Sequence, residues 1–171
     1  MARTKTLAMA NGKKVILEDY IMECIRKAVD EVAADSVSYL AAYIDKNWYS
    51  KYNPKRYKRT YDFLNSASKT ETTISGREAN AVVCMLFFDT EKIIPRYYGP
   101  GYLNPHVNMW GASTTEQLPG WIENGGWFYG RGKTDGLHSM EATIKMLEKQ
   151  FPTKVATKLR KMGLQIKVVG A

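Results

Sequence analysis

The sequence predicts an α+β fold in which a long N-terminal helix and C-terminal helices pack on a small, mostly antiparallel sheet. Apolar residues recur at steps of three and four across residues 15–44, and again across residues 137–162, which is the spacing of a helix with one buried stripe. Residues 80–89 are instead apolar at almost every position and include β-branched and aromatic side chains, as buried strands do. Two helical regions with a strong strand between them indicate the α+β class.

The length of the chain sets its domain organisation. With 171 residues, of which 44% are hydrophobic, the chain is long enough for one core and short for two. Residues 1–14 carry four cations, no acid and only scattered apolar residues, so they cannot bury a core of their own. We therefore expect a flexible basic arm over residues 1–14 and a single α+β domain over residues 15–171.

The first helix is predicted by the apolar repeat of residues 15–44. It should be about 28 residues and about 40 Å long at the rise of an α-helix. Pro54 lies just beyond its end, where a proline prevents the helix from continuing. Further along, residues 60–66 have the composition of a short helical turn.

Residues 47–66, here called the Tyr-Lys-Arg block, are the most distinctive stretch of the chain. Five cations and four tyrosines surround one proline, and no acid lies between Asp45 and Asp62. Such a surface binds an acidic partner or forms a subunit interface, in which Arg and Tyr are favoured anchors. A solvated basic loop is the alternative. The block supplies eight candidate partner-binding residues: Lys51, Tyr52, Lys55, Arg56, Tyr57, Lys58, Arg59 and Tyr61.

Residues 80–89 are predicted to be a central strand with Val83 and Phe87 buried. Residues 71–75 contain alternating threonines and are separated from this strand by a turn with Gly76. We expect them to be its antiparallel neighbour.

A long loop rich in glycine and aromatic residues is predicted at about residues 90–136. So many aromatic side chains would make a loop insoluble unless they packed on the core, on a ligand or on another subunit. Contact with another subunit is favoured, because a loop rich in glycine stabilises little by itself. The candidate partner-binding residues of this loop are Trp121, Trp127 and Tyr129.

The C-terminal region is predicted to contain two helices and a last strand. Apolar stripes run through residues 137–150 and 153–162, and Pro152 should break or kink the helix between them. Residues 164–169 alternate apolar and polar side chains, as a terminal strand does. Six cations lie off the apolar stripes, and a solvated helix face explains them better than a binding patch: Lys145, Lys149, Lys154, Lys158, Arg160 and Lys161.

The composition favours binding over catalysis. The net charge of +8 suits nucleic acid, anionic lipid or an acidic protein as partner. The two cysteines, Cys24 and Cys84, are far apart and are expected to be small buried hydrophobes in a reducing compartment. Only two histidines occur, without the motifs of nucleophilic triads or zinc sites, so we expect no enzyme, no cofactor and no metal. The chain lacks a membrane-spanning apolar run, and folding in a cytoplasm is expected.

The order of these elements, together with three short motifs, resembles a known family. The motifs are Asn53-Pro54 followed by Arg59, Leu64 and Ser66; the turn at residues 120–126, GWIENGG; and the basic helical region 137–162. Together they resemble tailed-phage head–tail joining and tail-completion proteins, a family that includes relatives of the minor tail protein Z of lambdoid phages. The chain departs from the family in having Asn-Pro-Lys-Arg-Tyr in place of Pro-x-Asp-Thr-Gly, and in its longer loop.

The resemblance implies a virion protein, made in the cytoplasm of a bacterial host, that assembles with copies of itself into a ring at the neck or tail end. Its other partners would be neck, portal-side or tail-tube proteins, with no membrane contact. Transient contact with DNA is left open. The competing interpretation is a monomeric basic nucleic-acid-binding protein that uses the arm and the Tyr-Lys-Arg block for phosphates and base stacking.

Overall fold

A computed structural model describes residues 7–10, 13–51, 61–75, 81–94, 115–128 and 132–168. Helices and antiparallel strands are both present, which confirms the α+β class. The chain divides into two compact units, which we describe separately. The first unit comprises Met1–Asp35, Thr70–Met85 and Glu148–Ala171, and the second comprises Ser36–Lys69 and Leu86–Leu147. The predicted extents of the arm and of a single domain remain predictions.

The described residues contain four α-helices and eight short strands. In chain order they are β1 (Leu7–Ala10), β2 (Lys13–Ile16), α1 (Leu17–Ile44), α2 (Asp62–Asn65), β3 (Ala67–Lys69), β4 (Thr73–Ser75), β5 (Ala81–Val83), β6 (Leu86–Phe88), α3 (Leu118–Asn124), β7 (Gly125–Phe128), β8 (Gly132–Asp135) and α4 (Ser139–Lys161). A π-helical turn, Asp45–Tyr49, continues α1, and a 3-10 turn, Thr90–Lys92, follows β6.

Helix α1 confirms the prediction of a long N-terminal helix and has 28 residues. Its first turn carries Glu18 and Asp19, where acidic side chains stabilise the partial positive charge of a helix N-terminus. The strands β1 and β2 precede it and pair antiparallel, with Leu7 opposite Ile16. β1 and the first residues of β2 lie within the segment predicted to be a flexible basic arm, and pairing of their backbone groups needs no apolar repeat.

The core of the first unit joins α1 to α4. Cys24 and Ala28 of α1 are buried against Leu159 of α4. The residues are small on the α1 side, so the two helices can approach closely. Partly buried hydrophobic residues complete the cluster: Tyr20, Ile25, Val155, Met162, Leu164 and Ile166.

A bulged ribbon of two strands also belongs to the first unit. β4 and β5 pair antiparallel with Thr73 opposite Val83, which confirms the predicted partner of this strand. The Thr70 N–H donates to the Met85 carbonyl, and the Met85 N–H donates to the Thr70 hydroxyl, both at 2.9 Å. Two residues, 71 and 72, therefore lie opposite Cys84 alone, and this is a β-bulge. The bulged Thr72 is buried and donates to Asp30 Oδ1 on α1 at 2.6 Å.

The prediction of one central strand over residues 80–89 is wrong. The segment forms two strands, and in the described part of the chain β5 pairs only with β4 and β6 only with β3. Val83 and Phe87, expected to be buried, are 45% and 39% exposed. A strand is buried on both faces only if a layer covers each face, and here every second residue from Ala81 to Phe87 is exposed.

The core of the second unit uses elements that the sequence predicted to be loop. Leu40 and Ile44 of α1 are fully buried with Phe63 of α2, and Phe63 packs on Phe88 of β6 with ring centroids 4.9 Å apart. The same cluster contains Ile93 and two residues of α3, Leu118 and Ile122. Part of the predicted loop at 90–136 is thus the helix α3 and the hairpin β7–β8. Pro119 concealed the helix in the sequence, although proline suits a first helical turn.

The C-terminal region also differs from its prediction. Helix α4 continues through Pro152, because a helix survives the loss of one backbone hydrogen bond when its packing compensates for it. Helix α4 ends at Gly163 in the left-handed conformation, with the Leu164 N–H bonded to the Leu159 carbonyl, as in a Schellman motif. Residues 164–168 form no strand. The Arg160 side chain instead donates two hydrogen bonds to the Ile166 carbonyl, at 2.8 and 3.1 Å.

The two burial patterns predict different responses to truncation. Leu40→Ala should lower the free energy of unfolding by about 2–5 kcal/mol, because it removes buried methyl groups and leaves a cavity. Val83→Ala should cost less than about 1 kcal/mol, since its side chain is largely solvated. Chemical denaturation followed by circular dichroism measures both. Equal losses would place Val83 in the core.

Candidate partner-binding site

The structure describes part of the predicted partner-binding set. The side chains of Lys51, Tyr61 and Trp121 are described, and all three are exposed. Trp127 lies in β7. The other predicted residues lie outside the described part of the chain: Tyr52, Lys55, Arg56, Tyr57, Lys58, Arg59 and Tyr129.

An aromatic pair links two residues of the Tyr-Lys-Arg block, Tyr49 and Tyr61. The ring centroids of Tyr49 and Tyr61 are 4.8 Å apart, and Tyr49 also packs against the core of the second unit. Tyr49 closes the π-helical turn, in which the Ser50 N–H and hydroxyl both donate to the Asp45 carbonyl, at 2.8 and 2.9 Å. Such turns are frequent at functional sites. Tyr49 and Tyr61, both residues of the block, are therefore held against each other.

Tyr61 has an unusual backbone conformation, with φ 58° and ψ 17°. This left-handed region costs a residue with a side chain about 1–2 kcal/mol. Hydrogen bonds that follow it stabilise the chain: the buried Asp62 carboxylate accepts from the Ile94 N–H at 3.3 Å, and the buried Ser66 hydroxyl donates to the Phe63 carbonyl at 2.7 Å. Backbone strain held in place by its surroundings is typical of functional segments.

The turn at residues 120–126 combines an exposed tryptophan with a carboxylate that fixes a helix. Trp121 is 42% exposed on α3, whereas its neighbour Ile122 is buried. The Glu123 carboxylate accepts hydrogen bonds from the Ser139 hydroxyl and, at 2.9 Å, from the Met140 N–H. These residues open α4, where N–H groups lack helical partners and negative charge is favourable. The sequence marked this turn as a motif but did not reveal that Glu123 caps α4.

At Gly136 the chain packs against the turn at residues 120–126, here called the Glu123 turn. The Leu137 and His138 N–H groups donate to the carbonyls of Ile122 and Glu123, at 2.8 and 3.1 Å. A β-carbon on Gly136 would overlap the Glu123 carbonyl oxygen and lie 2.8 Å from the Asn124 carbonyl carbon. Only glycine fits this approach.

The strand ribbon presents an apolar surface that the sequence did not predict. Met85 is 62% exposed, next to the exposed Val83. The apolar run of residues 80–89 indicated a buried strand. Its partner strand lies in residues 71–75, which are mostly polar and so indicate exposure. A polar partner strand leaves at least one face of a ribbon solvated.

Half of the six cations predicted to lie off the apolar stripes of α4 have partners inside the chain. Lys158 Nζ lies 3.0 Å from Glu31 and 3.3 Å from Asp35, and the hydrogen bond to Glu31 raises the pKa of Lys158. Lys145 Nζ lies 2.6 Å from Glu141 and lowers the pKa of that carboxyl. Arg160 binds the Ile166 carbonyl. Within the described ranges Lys149, Lys154 and Lys161 form no ion pair.

Groups suited to metal or thiol chemistry are sparse. Cys24 is buried, Cys84 is half-buried, and neither is in a disulfide. Over the residues that the structure describes, no three His, Cys, Asp or Glu side chains are arranged to hold a metal ion. No helix in the same residues has the length and hydropathy that crossing a bilayer requires.

Two glycines test the geometry of the Glu123 turn. Gly136→Ala should lower the free energy of unfolding by about 1–3 kcal/mol, because the new methyl group overlaps fixed backbone. Gly120→Ala is the matched control. Gly120 lies within α3 with no atom near its would-be β-carbon, so alanine should stabilise the helix by about 0.5–1 kcal/mol. A tolerated Gly136→Ala in denaturant titrations would contradict this geometry.

The chain was compared with curated proteins, solved structures and protein-family models. No curated protein and no solved structure matches the chain. A family model described as YomN matches residues 11–165, which is nearly the whole chain. The chain therefore belongs to the YomN family, a family associated with phages and prophages.

Proposed function

We propose that the chain is a structural protein in the virion of a tailed phage or prophage. It acts in a ring of its own copies, at the neck or tail end, as a head–tail connector or tail-completion component. Membership of a phage-associated family supports the viral origin. The observation that supports assembly most directly is the exposed apolar surface of the strand ribbon.

Covering the ribbon would be energetically favourable. Val83 and Met85 expose much of their apolar surface, and burying such a side chain fully is worth about 1.5–3 kcal/mol. A two-stranded ribbon has little stability alone, and natural proteins usually cover or charge such strands. A neighbouring copy that packs on this ribbon would remove the apolar surface from water and rigidify both strands.

The Tyr-Lys-Arg block supplies the second contact in this proposal. Its Tyr49 and Tyr61 rings pack on each other in the second unit, and its sequence carries five cations. An acidic surface on another neck, portal-side or tail-tube protein fits this charge. The function is binding and not turnover, so no cofactor is required. The protein would be made in the host cytoplasm and act in the virion.

The alternative is a basic nucleic-acid-binding protein. Single-stranded nucleic acid stacks its bases on exposed aromatic rings in a basic groove. Tyr49 and Tyr61, two of the four tyrosines of the block, pack on each other instead. Three of the six cations of α4 are also bound within the chain. Both observations favour an assembly protein over a nucleic-acid-binding protein.

Met85→Ser tests the ribbon as a subunit contact. Self-association should weaken about tenfold, because the loss of about 1.4 kcal/mol of apolar burial changes an equilibrium constant by that factor. Ile94→Ser is the matched control, at a side chain 53% exposed in the second unit, and should associate like the wild type. Light scattering over a concentration series measures both. Equal association of the two variants would show that the ribbon is not part of the interface.

Paired substitutions in the block separate protein assembly from DNA binding. Arg56→Lys with Arg59→Lys should impair incorporation into particles, because lysine cannot hold a carboxylate in two bonds or stack as guanidinium does. Lys51→Ala with Lys58→Ala should matter less, since each lysine is a flexible point charge that salt screens. Phosphate binding would instead fall with each lost charge and tolerate Arg→Lys. Normal assembly of the arginine variant, with DNA affinity lost in the lysine variant, would favour the nucleic-acid function.

A further inference from the structure

The two long helices carry opposite charges within the first unit. Residues 17–35 of α1 contain six acids and two cations, a net charge of −4. Residues 148–161 of α4 contain five cations and one acid, a net charge of +4. One compact unit therefore presents one strongly acidic helix and one strongly basic helix.

Contacts inside the unit use only part of this charge. Lys158 of α4 pairs with both Glu31 and Asp35 of α1, so one cation of α4 lies between two acids of α1. Glu23 is held by Arg26 at 2.7 Å. The exposed acids Glu18 and Asp19 of α1 have no oppositely charged partner among the residues described. The same is true of three cations and one acid of α4: Lys149, Lys154, Lys161 and Glu148.

We propose that the acidic side of α1 in one copy binds the basic side of α4 in the next copy, so that copies join head to tail. This inference rests on the proposed function and names the contact that orders the ring. The ring of the proposed function sets the geometry of this contact. A two-fold interface pairs the acidic and basic patches twice and closes at two copies, because residue i contacts residue j and j contacts i. A heterologous contact pairs them once and leaves one acidic and one basic patch for the next copies, and repeated heterologous contacts close into a ring when the rotation allows it.

A second copy is also the partner that fits both charges. A nucleic acid would engage the lysines of α4 and repel Glu18 and Asp19. An acidic protein would do the same. A second copy carries both signs in matching amount, so each contact neutralises one acidic and one basic surface. Complementary charge of this kind chooses the partner and its orientation more than it adds affinity.

Two charge-reversed variants of the full chain test the contact. The first is Lys149→Glu with Lys154→Glu and Lys161→Glu, and the second is Glu18→Lys with Asp19→Lys. Neither set touches the Lys158 ion pairs or the Glu23–Arg26 pair. Each variant alone should associate at least about tenfold more weakly than the wild type, because like charges then face each other. An equimolar mixture should regain association, since each copy of one variant again meets its opposite in the other.

The readout is native mass spectrometry and light scattering at low and high salt, with circular dichroism as the control for folding. Mixed particles that contain both variants in equal number, and that dissociate as salt screens the contact, are the expected result. Normal association of either variant alone, or a mixture that stays dissociated, would overturn the head-to-tail contact. Should either variant prove unfolded, the neutral set Lys149→Gln with Lys154→Gln and Lys161→Gln replaces the reversal. Wild-type association and salt dependence in that set would then overturn the contact.

Three further outcomes would overturn the contact and assign these surfaces differently. A wild type that stays monomeric at every concentration and salt overturns the ring itself, and the proposed function with it. Normal assembly of the first variant with loss of binding to a DNA duplex assigns the α4 lysines to nucleic acid. Normal assembly of the first variant, with assembly lost when residues 1–12 are removed, assigns the basic N-terminal segment as the partner of α1.

Discussion

The fold depends on one buried row of side chains along α1. Cys24, Ala28, Val32, Ser36, Leu40 and Ile44 are all buried and lie at strict four-residue intervals. Such a row is one of the natural ridges of a helix surface. Its first residues are small and allow α4 to pack closely in the first unit, while its last residues are large and fill the core of the second unit. A break in this single helix would therefore remove core residues from both units.

The sequence predicted this helix well because an apolar repeat sustained over 28 residues rarely arises in anything but a helix with one buried face. The β4–β5 pairing followed for a similar reason, since alternating polar residues beside an apolar strand, with a turn between, specify a hairpin. Helix α3 escaped prediction because it is seven residues long and contains a proline and a glycine. Its burial depends on Leu40, Ile44 and Phe63, which are distant along the chain. The amino-acid composition of a short segment does not reveal its contacts with residues that are distant along the chain.

The candidate partner-binding surfaces were also hard to predict from local sequence. The apolar run of residues 80–89 was predicted to be central because hydrophobic strands usually are, yet burial is set by what covers each face. A bulge at residues 71 and 72, held by the Thr72–Asp30 hydrogen bond, interrupts the ladder, and Val83 and Met85 on the opposing segment are exposed. The Glu123 turn was recognisable as a motif, but its role as the cap of α4 required the return of the chain through Gly136. The cations of α4 were visible in the sequence, and only the three-dimensional structure could separate those already paired from those left over.

The surfaces that concern assembly divide between the two units in a way that fits the proposed function. The apolar ribbon and the oppositely charged helices belong to the first unit, and both suit a partner that is another copy of the chain. The Tyr-Lys-Arg block belongs to the second unit and carries five cations against one acid, the buried Asp62, so a copy of itself is a poor partner and an acidic neighbour a good one. In the proposed ring, apolar burial would supply most of the affinity between copies, and the charged helices would fix the direction in which copies add. A separate cationic surface can then engage a different protein without competing for the contacts that close the ring.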